Sequence, residues 1–154
     1  MDIADPQPSG KGTPPAAVSA ESAVTEATGM TPDYEVLLPL VDTDILEELE
    51  EQLDGPALAV RFARDYAAMW DQRCAKLAAA VHNQDMDAAL DAVISLKITS
   101  AMVGGLRLSR LAELLESVIR QGNFGQGQIL MKRVAEDGNQ TVSELQASYI
   151  LKND

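Results

Sequence analysis

Apolar residues recur every three or four positions through residues 42–150, and short turn-forming stretches interrupt this spacing. The spacing follows the 3.6-residue turn of a helix, and no segment shows the strict alternation that marks a strand. Aromatic residues make up only 4% of the chain, so alanine and leucine supply most of the apolar volume, which favours packed helices over a sheet. The pattern therefore predicts an all-α protein.

The turn-forming stretches separate five predicted helices. Asp42 or Thr43 caps a short first helix that ends at "DGP" (54–56), and Asp85 caps the third helix. The four longer predicted helices cover residues 57–82, 86–103, 106–121 and 127–150. The stretch "GNFGQG" is expected to be a turn, and the last helix is expected to be weakened near Gly138. Short connections place consecutive helices side by side, so we expect an antiparallel up-down four-helix bundle with the short helix capping one end.

The N-terminal segment has a different composition from the rest of the chain. Residues 1–33 hold most of the seven prolines, with serine, threonine, alanine and glycine between them and no sustained apolar period. Such a segment buries too little apolar surface to offset the loss of chain entropy on folding. We therefore expect a disordered tail over residues 1–33 and a helical domain over residues 34–154.

The charge of the chain limits its partners. There are 24 acidic and 12 basic residues, for a net charge of −12, which disfavours binding to nucleic acid and to anionic membranes. No apolar run is long enough to span a bilayer and no leader pattern opens the chain, so the expected compartment is the cytoplasm. The acidic run "EELEE" (47–51) is expected to be the solvated face of the first helix, with attraction of a basic partner as the alternative.

The single cysteine excludes an intrachain disulfide. Cys74 also leaves zinc without its usual set of thiolates, so it is expected to be a small buried apolar residue. The acidic run lacks the spacing of an EF-hand calcium loop. No metal and no cofactor is therefore expected. Tyr66 and Trp70 have the spacing of core residues in the second helix.

The third predicted helix carries two apolar stripes. On a helical wheel, the stripe expected in the core contains Ala89, Val93, Leu96, Ser100 and Val103. The second stripe contains Ile94, Ile98, Ala101 and Met102, with Lys97 at its edge. A helix that is apolar on two faces is either covered on both or exposes one to a partner. The second stripe is thus covered by the first helix or the tail, or it is a binding surface.

Four residues of this region match a known pattern in register: Leu96, Lys97, Gly104 and Leu108. With the small residues between them, they resemble the signature helix pair of histidine-containing phosphotransfer (HPt) domains. The resemblance extends over about residues 40–148. HPt domains are four-helix bundles that relay phosphoryl groups between response-regulator receiver domains, in which the lysine supplies positive charge near the phosphoryl site. The resemblance therefore implies a protein of a two-component phosphorelay system.

Two departures from the HPt pattern change the implied chemistry. Ile94 occupies the position of the phosphoacceptor histidine, and Ile98 occupies that of the glycine after the lysine. An isoleucine has no lone pair with which to attack an aspartyl phosphate, and its branched side chain fills the space that glycine leaves open. The expected protein is a non-enzymatic, non-phosphorylatable module that binds a receiver domain or a sensor histidine kinase. Its expected partner-binding residues are Ile94, Lys97, Ile98, Ala101 and Met102.

Three alternatives stay open at the level of sequence. The second stripe could form a symmetric homodimer with no receiver binding. Phosphotransfer could instead use His82, the only histidine, at the predicted end of the second helix. Lys97 could also be an ordinary surface lysine whose stem lies along apolar neighbours.

Overall fold

The structure is a computed structural model and describes residues 38–153. The chain divides into two compact units after Leu38, and all of the helices described below belong to the second unit, Pro39–Asp154. The predicted tail of residues 1–33, and its boundary with the helical domain, lie outside the described residues.

Five α-helices that pack together account for most of residues 38–153. In chain order they are α1 (Thr43–Gln52), α2 (Pro56–His82), α3 (Met86–Met102), α4 (Leu106–Arg120) and α5 (Phe124–Leu145). A π-helical turn (Gln146–Ile150) and a 3-10 turn (Leu151–Asn153) extend α5. No strand occurs in this part of the chain, so the all-α prediction is confirmed.

Side chains at the helix starts satisfy backbone N–H groups that have no partner within the helix. The Asp42 carboxylate accepts a hydrogen bond from the backbone N–H of Asp44 at 3.0 Å, and Asp85 accepts one from that of Ala88 at 3.2 Å. Both predicted caps are therefore confirmed. Pro56 is the first residue of α2, where its missing N–H leaves no helical hydrogen bond unmade.

The predicted start of the last helix is wrong, because α5 begins at Phe124 and includes residues assigned to a turn. The Asn123 side chain accepts a hydrogen bond from the backbone N–H of Gln126 at 3.1 Å and so caps a helix that contains two glycines in its first turns. Gly127 faces α2, where an added Cβ would lie 3.4 Å from a methyl carbon of Val81. This glycine therefore lies within a helix, where its lack of a side chain allows α5 to pack closely against α2.

Contacts between side chains show how the helices are arranged. On α2, Tyr66 shares a buried hydrogen bond of 2.6 Å with Ser100 of α3, and Trp70 donates one of 2.8 Å to Asn139 of α5. Burial raises the pKa of Tyr66 to about 12, so its phenol stays neutral in the core. Helix α4 packs between α3 and α5, which places each of the four longer helices against two others.

The core consists of two clusters of buried side chains. The larger one joins α2, α3, α4 and α5, and its bulkiest fully buried members are Leu77, Val81, Val93, Leu108, Leu111, Leu115, Ile119 and Val134. The smaller one joins Leu46 of α1 to Val103 and Leu145, near the C-terminal ends of α3 and α5. The five residues of the predicted core stripe of α3 are all buried, as are Tyr66 and Trp70.

Helix α5 is continuous through Gly138, where the sequence suggests a weak point. A Cβ at this position would overlap the indole ring of Trp70, which packs directly on the α5 backbone. The adjacent Asn139 side chain accepts the indole N–H. The glycine is therefore the contact point between α2 and α5.

We expect Gly138→Ala to lower the free energy of unfolding by about 1–3 kcal/mol, because the Trp70 ring must shift to admit the methyl group. Urea denaturation followed by circular dichroism measures this change. Gly125→Ala is the matched control in the same helix, since an added Cβ there meets only the Asn123 side chain at 3.8 Å. The control is expected to be neutral or stabilising by up to about 1 kcal/mol. Equal stability of the two variants would contradict the assignment.

Candidate functional site

The five predicted partner-binding residues form what we call the α3 surface: Ile94, Lys97, Ile98, Ala101 and Met102. All five lie on α3, but their side chains differ in exposure. Ile98 is 52% exposed and Met102 is 38% exposed, whereas Ile94 and Ala101 are half-buried. Because Ile98 and Met102 are one turn apart, they present adjacent apolar side chains to solvent.

Ile94 lies deeper than its neighbours on the α3 surface. Its side chain packs against the larger core cluster, as does that of Leu90 one turn before it. Helix α1 packs at a different place, because its Leu46 belongs to the smaller cluster. That cluster also contains Val103, which directly follows the C-terminal end of α3. Ile94 therefore belongs partly to the core, and the outermost part of the α3 surface is Ile98 with Met102.

Lys97 is oriented toward α4 and forms an ion pair there. Its ammonium group donates a hydrogen bond of 2.7 Å to Glu116, whose second carboxylate oxygen accepts one of 2.8 Å from Arg120. The hydrogen bond from Lys97, followed by that from Arg120, lowers the pKa of the Glu116 carboxyl below its ordinary value. The positive charge of Lys97 is thus balanced within the protein.

The Gly104-Gly105 turn that follows α3 packs against the chain segment before α1. The Asp42 N–H donates a hydrogen bond of 2.8 Å to the Gly104 carbonyl, and the Arg107 N–H donates one of 3.3 Å to the Pro39 carbonyl. Gly104 has a φ of +80°, and a Cβ there would overlap the Asp42 carbonyl. This glycine, one of the positions that match the HPt pattern, is therefore required by backbone packing.

A groove between α2 and α3 borders the α3 surface and was not predicted from the sequence. It has a volume of about 250 Å³, with Arg73 and Lys76 of α2 facing Ala92 and Ser95 of α3. The Arg73 guanidinium donates a long hydrogen bond of 3.4 Å to the Thr99 hydroxyl. The available sequence signal was the separation of Arg73 and Lys76 by three residues, which places both on one helical face.

The other candidate residues lie away from the α3 surface. His82 is exposed at the last position of α2. Cys74 is half-buried rather than buried as predicted, and burial together with the Asp71 charge raises the pKa of its thiol. Within residues 38–153, no group of three or more histidine, cysteine, aspartate or glutamate side chains is arranged to hold a metal ion.

The acidic run of α1 is exposed except at one position. Glu47, Glu48 and Glu51 face solvent, as predicted. Glu50 is half-buried and accepts a hydrogen bond of 2.6 Å from the Tyr149 hydroxyl. Burial and the Glu50 carboxylate both raise the pKa of Tyr149, so this contact holds α1 against the turn after α5 with a neutral phenol.

Comparison of the chain with protein-family models, with curated proteins and with solved structures finds no match. Across residues 38–153, no helix combines the length and the apolar character that crossing a membrane requires. Among the described residues, the α3 surface and its neighbouring charges are the features that bear on function.

We expect Lys97→Met to raise the pKa of the Glu116 carboxyl toward the ordinary value of about 4.3, because methionine keeps the apolar stem and removes the charge. NMR titration of the glutamate side-chain carbons measures this shift. Arg120→Met is the comparison that removes the second cation, and it is also expected to raise the pKa, because Arg120 donates to the same carboxylate.

The lowered pKa also fixes the direction of a pH effect on stability. The unfolded state holds the Glu116 proton more tightly, so the ion pair stabilises the fold above the ordinary glutamate pKa. That contribution is lost as the pH falls below this value through the folded-state pKa. In Lys97→Met, the free energy of unfolding should therefore decrease less steeply as the pH is lowered from neutral to acidic. An unchanged Glu116 pKa in Lys97→Met would contradict the ion pair.

Proposed function

We propose that this chain is an HPt-like protein of a two-component phosphorelay system that binds a receiver domain or a sensor histidine kinase without transferring a phosphoryl group. The observation that carries the proposal is the exposed apolar pair Ile98 and Met102 on α3, beside an isoleucine at the position of the phosphoacceptor. Its proposed fold is an up-down four-helix bundle of α2–α5, with α1 across one end. Its proposed compartment is the cytoplasm, where such partners act.

The packing of the helices supports the bundle. Each of the four longer helices contacts two others, and three-residue connections join them. The α2–α3 contact pairs Tyr66 with Ser100 and Arg73 with Thr99, so residue numbers fall along one helix as they rise along the other. The same is true of α2 and α5, where Val81 lies near Gly127 and Trp70 near Asn139. Antiparallel neighbours of this kind are typical of up-down bundles.

The charges around Ile94 support binding rather than chemistry. Phosphotransfer requires a nucleophile and positive charge that stabilises the transferred group. Ile94 offers no lone pair, and the Lys97 charge is balanced by Glu116 at 2.7 Å. A partner that docks here therefore meets an apolar surface with an ion-paired lysine at its edge.

The exposed apolar pair supports a docking surface. Complete burial of an isoleucine side chain contributes about 1.5–3 kcal/mol to stability. Ile98 is 52% exposed, so the fold leaves part of this stabilisation unused. Contact with a partner recovers this contribution. The half-buried Ile94 and Ala101 would form the floor of such a contact and need not move.

A symmetric homodimer is the second candidate, because the same exposed pair can pack against its own copy. Light scattering coupled to size-exclusion chromatography separates the two. A stable dimer that Ile98→Asp converts to a monomer would favour this candidate over receiver binding.

We expect a cognate receiver domain, found by testing the receiver domains of the host one at a time, to bind the wild-type chain and to lose about tenfold or more in affinity to Ile98→Asp. A carboxylate in place of this isoleucine would lose the apolar contact and would have to be desolvated in the complex. Ile129→Asp is the matched control, since Ile129 is also exposed, at 59%, but lies on α5. Equal losses in both variants, or no binding to any receiver domain or sensor histidine kinase of the host, would contradict the proposal.

We expect no phosphoryl transfer to the chain from acetyl phosphate or from a phosphorylated receiver domain, because position 94 has no nucleophile. Incubation with a labelled phosphodonor followed by electrophoresis measures this. Label on the wild-type chain that disappears in His82→Gln would instead establish a relay through the exposed histidine at the end of α2.

A further inference from the structure

Two basic side chains line the groove between α2 and α3. Arg73 and Lys76 line it from α2, and within residues 38–153 no carboxylate lies within ion-pair distance of either. Among the described residues, the Arg73 guanidinium donates one hydrogen bond, the 3.4 Å bond to Thr99, which is longer than the usual 2.9–3.0 Å. Lys76 is exposed. Both therefore have hydrogen-bond donors available for a ligand.

Acidic residues outnumber basic ones by two to one in this protein. On α4, the basic side chains of Arg110 and Arg120 each pair with a carboxylate one turn away. Charges beyond about 8 Å are largely screened at physiological salt, so the local groups decide what the groove attracts. The charged residues that line the groove are two cations and one acid, Asp91, which lies on α3.

The groove is continuous with the exposed apolar pair. Ser95 lines it from α3, and Ile98 follows Ser95 by one helical turn on the same side of the helix. Met69, which is 40% exposed, lines the groove from α2. A partner that covers Ile98 and Met102 therefore also reaches Arg73 and Lys76.

We propose that this groove accepts an aspartate or glutamate side chain of the protein that docks on Ile98 and Met102. The arginine guanidinium presents paired N–H donors that match a carboxylate, and the lysine adds a second charge within one turn. The apolar side chains of Met69 and Leu96 line the same groove. They partly exclude water, which strengthens an ion pair between the partner's carboxylate and the two basic side chains. The inference rests on the proposed function for the identity of the docking protein and adds the chemistry of its contact.

The groove is tested without the partner, using the full chain labelled with ¹⁵N and the blocked peptide acetyl-LDEL-amide at physiological salt. We expect saturable shifts of the Ala92, Ser95 and Ile98 amide signals, and no saturation with the uncharged peptide acetyl-LNQL-amide. In the double variant Arg73→Gln/Lys76→Gln, the affinity for the acidic peptide should fall by about tenfold or more. Asp91→Asn should tighten binding about twofold, because it removes the one acid in the groove.

The control is the double variant Arg61→Gln/Lys132→Gln, which removes the same charge from two exposed positions on α2 and α5. Binding that falls equally in both double variants would show a general charge effect and overturn the proposal. Equal binding of the two peptides, or tighter saturable binding of inorganic phosphate than of the acidic peptide, would also overturn it. If the acidic peptide does not bind, this inference is overturned, and the Ile98→Asp experiment still tests receiver binding. If no receiver domain or sensor histidine kinase binds, the proposed function is contradicted, and the peptide titration still tests the groove.

Discussion

Helix α3 packs between α2 and α4, and a helix with two such neighbours keeps one strip of its surface outside the core. In α3 the core side is occupied by Ala89, Val93 and Leu96, while a buried hydrogen bond ties Ser100 to Tyr66. Apolar residues continue around the helix, so some of them must lie in the outer strip. Ile98 and Met102 do, and the proposed function depends on this geometric constraint.

The charges around the outer strip fall into two arrangements with different consequences. On the α4 side, Lys97 and Arg120 share the carboxylate of Glu116, so both cations have an ion-pair partner. Arg73 and Lys76 on the α2 side have none among the described residues. Charges that are already paired add little attraction for a partner. Unpaired charges beside an apolar contact orient the partner and make its binding more specific. The two sides of α3 therefore differ in what they can recognise.

The sequence predicted the local structure well where the signal was local. The caps at Asp42 and Asp85 and the core stripe of α3 follow from residue type and helical period alone. It failed at "GNFGQG", because glycine is read as a turn residue when its neighbours are unknown. In the fold, Asn123 caps the helix and Gly127 faces α2, so the same glycines lie within α5. The weak point expected at Gly138 is absent for a similar reason. The Trp70 ring packs against the α5 backbone at this position and fills the space that a side chain would occupy.

The candidate site was predicted in part, and the division has a physical cause. Helical periodicity places Ile94, Ile98 and Met102 together on one helix, but it does not say how deeply each lies, because depth depends on the neighbouring helices. The sequence by itself determined the helices, most of their ends and the apolar character of α3, since these follow from interactions between residues close in the chain. Only the tertiary structure decided that Ile94 packs against the core, that Lys97 forms an ion pair with Glu116, and that Arg73 and Lys76 line a groove. Those outcomes depend on contacts between residues far apart in the sequence, which no local pattern records.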